Sequence, residues 1–365
     1  MRRTNAAIWQ DKYRRWKIDV QRDGVRRSFY ASAPGRNGQR ECHKKADEWL
    51  DGNLINAETR AKVLHDKWIA ELKTTTGRGH WTNYESFWNN WIGKKIDHIK
   101  MGKLTEQNLQ DVITSAHKAG LAKETLSDMR SCMSAFIKYG RKCKATGLIV
   151  ENVSIPRSAP VGKRTILQPR DIKALFSRGK ITMWGKEAED EFINAYRFEV
   201  ATGLRPGELI GLKWSDISGN QVNLKRSINK FGEETRGKND NARRSFMLTP
   251  IAQGILKQQR THRSTQKIIS DFVFPNKLGE YVPQRTYYAR WAKYRKAAGI
   301  IEVTPYELRH TFVSMVKTLP EGLLKQLVGH SKDMDTYGTY SHEVDGDMDQ
   351  AASMVQNLLS SVINK

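Results

Sequence analysis

The chain has 365 residues, with 62 Lys and Arg against 39 Asp and Glu and a formal net charge of +23. At roughly 150 residues per domain this implies two or three domains, and 38% hydrophobic residues are enough to bury real cores, which excludes a disordered basic tail. The charge surplus selects a polyanionic partner, nucleic acid first and an anionic membrane surface second.

No apolar run approaches the ~20 residues of a membrane-spanning helix. The N-terminal MRRTNAAIWQDKYRR has no apolar signal core. The three cysteines, Cys42, Cys132 and Cys143, are far apart and give no CxxC pair, zinc spacing or disulfide framework. The expected location is a reducing cytoplasm.

Residues 7–31 read as short strands. IWQDKYRRWKIDV and VRRSFYAS alternate aromatic and β-branched residues with charges on either side of an Asp-Gly turn signal. After a Gly-rich break at Pro34, Gly35 and Gly38, CHKKADEWLDG sets Ala46, Trp49 and Leu50 on one helical face ending near Gly52. Arg14, Arg15, Lys17, Arg22, Arg26 and Arg27 stud the strands. Such a face is either solvated or in contact with phosphates, and the charge of the whole chain favours phosphates.

Residues 57–75 read as one helix with Val63, Leu64, Trp68 and Leu72 on its apolar side. TTTGRGH breaks the pattern, and an all-helical stretch follows to Gly147. Thr105 and Thr125 precede or begin its helices, and Gly120 and Gly147 close them. Trp81, Phe87, Trp88 and Trp91 fall at core spacing rather than as a base-stacking platform. IPRSAPVGKRT (155–165) is an extended linker whose Lys163 and Arg164 can lie along DNA. ILQPRDIKALFSRG then opens the largest unit. No repeat or low-complexity tract is evident.

Four segments of the last 200 residues matter together. In ATGLRPGELIGLKWSDI (201–217), Gly203 ends one helix, Pro206 starts the next, and Arg205 sits at the junction, beside free backbone N–H groups that attract anions. KRSINKFGEETRGKNDNARRSFMLTP (225–250) reads as a β-hairpin with Lys238 in its polar turn. TPYELRHTFVSMV (304–316) places Tyr306 and Arg309 three apart, on one helical face, with His310 next. LLKQLVGHSKDMDTYGTYSHEV (323–344) holds His330, Tyr337 and Tyr340. Each is weak alone. Together they offer two arginines, a lysine, a histidine and a tyrosine without a metal site, the set that a metal-free attack on a phosphodiester needs. A tyrosine hydroxyl is a competent nucleophile. Two guanidiniums bind both non-bridging oxygens, and a titratable group protonates the leaving oxygen.

At these residues the chain resembles the tyrosine recombinases, or phage-type integrases. ATGLRPGELIGLKWSDI is similar to their first signature box; LRHTF, VGH and Tyr340, ten positions beyond His330, are similar to the second. The resemblance covers about 164–342 well, the helical stretch more loosely, and the N-terminal strands least.

It implies Arg205 and Arg309 as the catalytic arginines, Lys238 as the general acid, His330 as a phosphate ligand and Tyr340 as the nucleophile. Lys230, Arg236 and Arg243 are rivals to Lys238, and Tyr337 to Tyr340; Arg243 is also a candidate DNA contact. Tyr306 stands where the family usually has His. A phenol with a reference pKa of roughly 10 is a poor base, so Tyr306 is expected to orient only, and His310 to be structural.

The implied fold is multidomain. A small N-terminal β-sheet plus helix (1–55) is an arm-type DNA-binding domain. A connecting helix (56–75) leads to an all-α core-type DNA-binding domain (76–157). A linker (158–163) precedes a mainly α (α+β) catalytic domain with a small β-hairpin sheet (164–365). In its tail, 347–363, Met348, Ala351, Val355, Leu358 and Val362 form an amphipathic stripe, which either packs on its own domain or, as preferred here, docks on a neighbour.

The implied activity is DNA strand exchange through a 3′-phosphotyrosine and a Holliday junction by a tetramer on double-stranded DNA. No cofactor, metal or membrane is needed. Accessory DNA-bending or directionality proteins are further candidate partners, and the arm-like N-terminus points to a mobile element. A type IB topoisomerase uses the same groups, and a non-catalytic DNA-binding protein on this scaffold is the remaining alternative.

Overall fold

A computed structural model describes residues 5–22, 25–51, 55–162, 164–178, 180–183, 186–235, 244–320, 323–324, 327 and 347–364. The chain divides into two compact units, residues 1–163 and 164–365.

The first unit begins with an antiparallel sheet, β1 (Ile8–Gln10), β2 (Arg15–Arg22) and β3 (Val25–Ala31), in that order. Strand alternation sends Ile18 and Val20 to one face, where they share a core with Cys42, Ala46 and Leu50 of α1 (Gly35–Asp51). This helix starts earlier than the sequence implied. Gly38 belongs to it rather than to a break, because a Cβ there would lie 1.7 Å from the Ala33 carbonyl oxygen and 2.9 Å from the Trp16 ring. The glycine lets the helix approach the sheet.

A helical core follows, from α2 (Ala61–Thr75), α3 (Arg78–Phe87), one π turn (Trp88–Ile92), α4 (Gly93–Ile96), α5 (Glu106–Lys118) and α6 (Lys123–Lys142). α2, expected as a connecting helix, buries Ala61, Leu64, Trp68 and Ile69 in this core. Val63, assigned to its apolar side, is 46% exposed. Trp88 is buried, Phe87 and Trp91 lie against the core, and Trp81 sits 4.7 Å beneath the Lys73 ammonium. A fully buried large apolar side chain contributes about 1.5–3 kcal/mol, and of these four aromatics Trp88 is the one that is fully buried. Thr105 caps α5 through Asn108. After α6, Lys144 (φ 57°) rather than Gly147 takes the left-handed turn, and the Ala145 N–H returns to the Gly140 carbonyl. The chain from 148 to 156 is irregular. Glu106 accepts from the Asn152 N–H at 2.8 Å, and Gln110 holds both the N–H and the carbonyl of Ser154.

The second unit starts with α7 (Pro169–Ser177), the hairpin β4 (Ile181–Met183) and β5 (Lys186–Ala188), α8 (Ile193–Thr202) and α9 (Pro206–Gly211). Every residue of α8 is buried, the mark of a central helix. Strands β6 (Ile217–Ser218), β7 (Gln221–Leu224), β8 (Ser227–Ile228), β9 (Glu234–Thr235) and β10 (Arg244–Met247) follow. The hairpin expected over 225–250 is split. Among the described residues β8 pairs with β9, and β10 crosses to β7, joining Phe246 to Val222 in the sheet β10-β7-β6. Both residues are buried in the main core, so burial of β10 on the sheet outweighs closure of the local turn. α10 (Pro250–Thr265), α11 (Gln284–Ala297) and α12 (Pro305–Met315) complete the bundle. Tyr196 of α8 meets Tyr287, Trp291 and Tyr294 of α11 at 4.9–5.5 Å between ring centroids.

In this single chain the tail helix α13 (Asp347–Ile363) lies on its own unit. Ala351, Val355 and Leu359 enter the main core, and α13 contacts α7, β10 and α10. The buried line uses Leu359 rather than Leu358 and Val362, which are only partly buried.

Candidate active site

The site is assembled where α8 ends. Gly203 terminates that helix at φ +64°, and its N–H returns to the Glu199 carbonyl at 2.8 Å. A Cβ on Gly203 would fall 2.2 Å from the Phe312 ring of α12. The turn therefore needs glycine twice, for its left-handed backbone and for the approach of α12. That approach brings Arg309 of α12 onto the turn, where its Nη1 donates to the Gly203 carbonyl at 2.7 Å.

Two residues on, Arg205 is the N-cap of α9. Glu208, in the first turn of α9, folds back on it: Oε2 accepts from the Arg205 N–H at 2.9 Å and Oε1 from its Nη1 at 2.7 Å. The same carboxylate takes both terminal nitrogens of Arg244 on β10, at 3.2 and 3.1 Å. Arg244 Nε in turn donates to the Leu327 carbonyl at 2.9 Å. One buried carboxylate thus ties the α8–α9 turn to β10, and Arg244 ties β10 to Leu327.

The electrostatics follow from burial. Burial would raise the Glu208 carboxyl, but Arg244 and Arg205 outweigh it and hold it below its ordinary value. Burial, with Arg205 and Arg244 nearby, brings Arg309 down to about 10, still charged at neutral pH. Glu199 is fully buried. Burial pushes its carboxyl well above the usual range, and it accepts from Tyr287 Oη at 2.6 Å. Arg205 and Arg244 both donate to the Glu208 carboxylate, and Arg309 lies close enough to feel the charge of all three. Arg309 is 3% exposed and the Arg205 side chain 23%, so both guanidiniums are poorly solvated, which strengthens their attraction for an anion.

Tyr306 lies one turn before His310, and their rings meet edge-to-face at 5.1 Å. Tyr306 is 42% exposed. His310 Nε2 is 3.3 Å from Arg164 Nη1, and burial together with Arg164 and Arg309 lowers its pKa. Glu307 accepts from the Thr304 and Thr165 N–H groups at 2.7 and 3.0 Å. Thr311 accepts from the Leu167 N–H at 3.0 Å. The start of the second unit is thereby laced along α12, and Arg164 is placed beside the site.

Of the expected site residues, the structure brings together Arg205, Arg309 and Tyr306. Lys238, His330 and Tyr340, the rivals Arg236 and Tyr337, and the expected DNA contacts Lys163 and Arg243 lie outside the described residues. Sequence reasoning missed Glu208, Arg244 and Glu199. Glu208 carried a signal, an acid three positions after a helix N-cap. Nothing local marked Arg244 or Glu199.

The basic residues of the N-terminal sheet divide by register. Lys17 pairs with Tyr30, Asp19 with Ser28 and Gln21 with Arg26, whereas Val20 pairs with Arg27. Arg15, Lys17 and Arg26 therefore share the face opposite α1. Arg27 is on the α1 side, its guanidinium 5.8 Å from the Phe29 ring, and Arg14 occupies a left-handed turn at φ 47°. The alternation of β3 explains why neighbouring arginines part company.

Among the described residues no group of His, Cys, Asp and Glu could hold a metal ion, and no helix is long and apolar enough to cross a membrane.

Residues 170–346 match the Phage integrase family. A protein described as tyrosine recombinase XerC-like, from Caldanaerobacter subterraneus subsp. tengcongensis, is 20% identical over 98% of this chain and 99% of its own length. The prophage integrase IntR of Escherichia coli is 29% identical over 46% of this chain and 47% of its own. Among solved structures, the Tn1549 transposon integrase in complex with transposon right end DNA superposes with a TM-score of 0.64 at 15% identity, over 82% of this chain and 99% of that one. A lambda integrase tetramer bound to a Holliday junction gives 0.57 at 16% identity, over 93% and 98%. The fold is an integrase fold, rich in helix with small sheets.

Proposed function

Because the chain belongs to the phage integrase, or tyrosine recombinase, family, we propose that it is a site-specific recombinase that cuts and rejoins DNA through a phosphotyrosine. The observation that carries this reading is the convergence of Arg205 and Arg309, two largely buried guanidiniums, at the α8–α9 turn. It suits a phosphodiester, whose charge grows on the non-bridging oxygens as a nucleophile adds.

Tyr340 attacks the phosphorus, forming a 3′-phosphotyrosine as the bond to the 5′ oxygen breaks. Lys238 donates the proton that the leaving oxygen takes up. Arg205 and Arg309 hold the two non-bridging oxygens, and His330 donates a further hydrogen bond. Tyr306 orients the phosphate. The nucleophile's proton passes to solvent or phosphate. The 5′-hydroxyl of a partner duplex then attacks the phosphotyrosine. The bond energy is kept in the ester, so no high-energy cofactor is required.

The similar lambda integrase was captured as a tetramer on a Holliday junction. Four copies of this chain assemble in the same way on double-stranded DNA, and α13 leaves its own unit to seat on a neighbour. Residues 1–55 form an arm-type DNA-binding domain that uses Arg15, Lys17 and Arg26, and 76–157 a core-type one. Accessory DNA-bending or directionality proteins set the direction, and the host element is mobile.

The test is covalent trapping on a nicked duplex drawn from sequence flanking the gene. The wild-type chain should form an adduct that survives denaturing electrophoresis. Tyr340→Phe should abolish it and Tyr337→Phe should not. Supercoil relaxation without joining of two duplexes would favour a topoisomerase. Salt-sensitive binding with no adduct at any flanking site would leave a DNA-binding protein.

A further inference from the structure

The open face of the N-terminal sheet carries an acid in the middle of its basic residues. The Asp19 carboxylate accepts from Ser28 Oγ at 2.5 Å and from Arg26 Nη2 at 3.0 Å, with Lys17 Nζ at 3.2 Å. The Ser28 hydrogen bond, aided by Lys17 and Arg26, keeps it ionised, and its side chain remains 25% exposed. Along the same strand, the Arg15 guanidinium is stacked 3.9 Å from the Tyr30 ring and 4.9 Å from Tyr13. Its Nε donates to Gln10 at 3.3 Å. Both groups are held in place before any partner arrives.

Lys17 and Arg26 offset the charge of Asp19, and its carboxylate keeps acceptor capacity that only a donor on the docked polyanion can use. Phosphates and the major-groove edges of guanine and thymine present only acceptors. Cytosine N4 and adenine N6 are the donors there, and adenine sets the N7 acceptor beside its amine. The B-form major groove admits a β-ribbon, whereas the A-form groove of RNA is too deep and narrow. An arginine fork fixed by aromatic stacking matches guanine O6 and N7. Residues 15 and 19 stand about 13 Å apart at ~3.3 Å per residue, roughly four base steps at ~3.4 Å each.

We propose that this face reads double-stranded DNA directly, with Asp19 accepting from a cytosine amine and Arg15 grasping a guanine about four steps away. This deepens, and rests on, the reading of residues 1–55 as an arm-type DNA-binding domain.

The test selects bound duplexes from a random-sequence pool with the full-length chain. Four proteins are compared: wild type, Asp19→Asn, Ser28→Ala, and the triple substitution Arg15→Ala, Lys17→Ala, Arg26→Ala. The expected result is a motif that the triple substitution removes, while a second motif survives. Within the first motif one position should prefer cytosine roughly tenfold. Asp19→Asn should erase that preference or turn it to adenine, and leave the guanine in place. Ser28→Ala, which removes a bond to Asp19 but not its charge, should keep the cytosine. A cytosine preference that survives Asp19→Asn, or a uniform loss at every position, overturns the role of Asp19. If no motif depends on the triple substitution, the arm-type reading itself falls, and this one with it.

Discussion

Arg205 and Arg244, 39 positions apart in the sequence, share the carboxylate of Glu208, each donating to its Oε1, at 2.7 and 3.2 Å. This arrangement fixes the aim of Arg205. The helix that presents it is only six residues long, too short to hold a side chain rigid by itself.

Glu208→Gln should therefore be costly twice over. Removing one partner of a buried ion pair costs about 3–5 kcal/mol, readable as a lower midpoint in urea. Single-turnover cleavage of a nicked duplex should fall about a hundredfold or more as Arg205 loses its aim. Because the folded-state pKa of Glu208 is depressed, its contribution is complete above the ordinary value of 4.5 and lost as pH falls through the folded value. Wild type and Glu208→Gln should thus converge in stability below pH 4.5. Parallel stability curves would contradict the pairing.

Glu199 predicts the opposite slope. Its folded pKa lies well above 4.5, so the fold holds a proton that the unfolded chain releases as pH rises. Stability is lost upward from pH 4.5, at about 1.4 kcal/mol per pH unit while the folded form stays protonated. Glu199→Gln keeps the neutral shape and removes the titration. It should be more stable than wild type at pH 7, by a margin that shrinks toward pH 4.5. A margin that does not change with pH would show Glu199 ionised in the fold.

Gly203→Ala meets both a left-handed backbone and the Phe312 ring. The backbone costs about 1–2 kcal/mol and overpacking about 1–3 more. Thermal denaturation should show a Tm lower by several degrees. Cleavage should fall further than stability explains, because Arg309 is bonded to this turn. Gly203→Ala in a Phe312→Ala background should recover part of the stability but not the φ cost.

Tyr306→Phe tests the orienting role. With a half-exposed ring whose contact with His310 is edge-on, loss of the hydroxyl should reduce cleavage by less than about tenfold, the scale of one hydrogen bond. A loss of about a hundredfold or more would make the hydroxyl a participant in the chemistry rather than an orienting group.

In the first unit, His65 is buried and stacked on Trp88 at 3.9 Å. Burial lowers its pKa below 6.5, so its stabilising neutral form is complete above pH 6.5. Stability is lost as pH falls from there through the folded value. His65→Phe should flatten the acid limb of unfolding followed by tryptophan fluorescence. An unchanged acid limb would place the titration elsewhere.

Much of this protein was legible in its residues. The Arg205 turn declared itself because Gly203 and Pro206 restrict the backbone through local sterics. The amphipathic helices did so because burial follows a short period, and the spacing of Arg309, His330 and Tyr340 carried the resemblance to the family. Local patterns failed where a distant partner decided the outcome. Gly38 read as a break until Trp16 was seen to press on it. β10 read as the partner of its own turn until β7 was seen to claim it. The tail stripe left two seats open, and the single chain occupies the one on its own unit. Arg27 looked equivalent to Arg26 until the register put them on opposite faces. The charge state of Glu199 and the bridge from Arg205 through Glu208 to Arg244 depend on burial and on pairing between residues remote in sequence. Those are properties of the folded interior, where desolvation and fixed geometry replace local propensity.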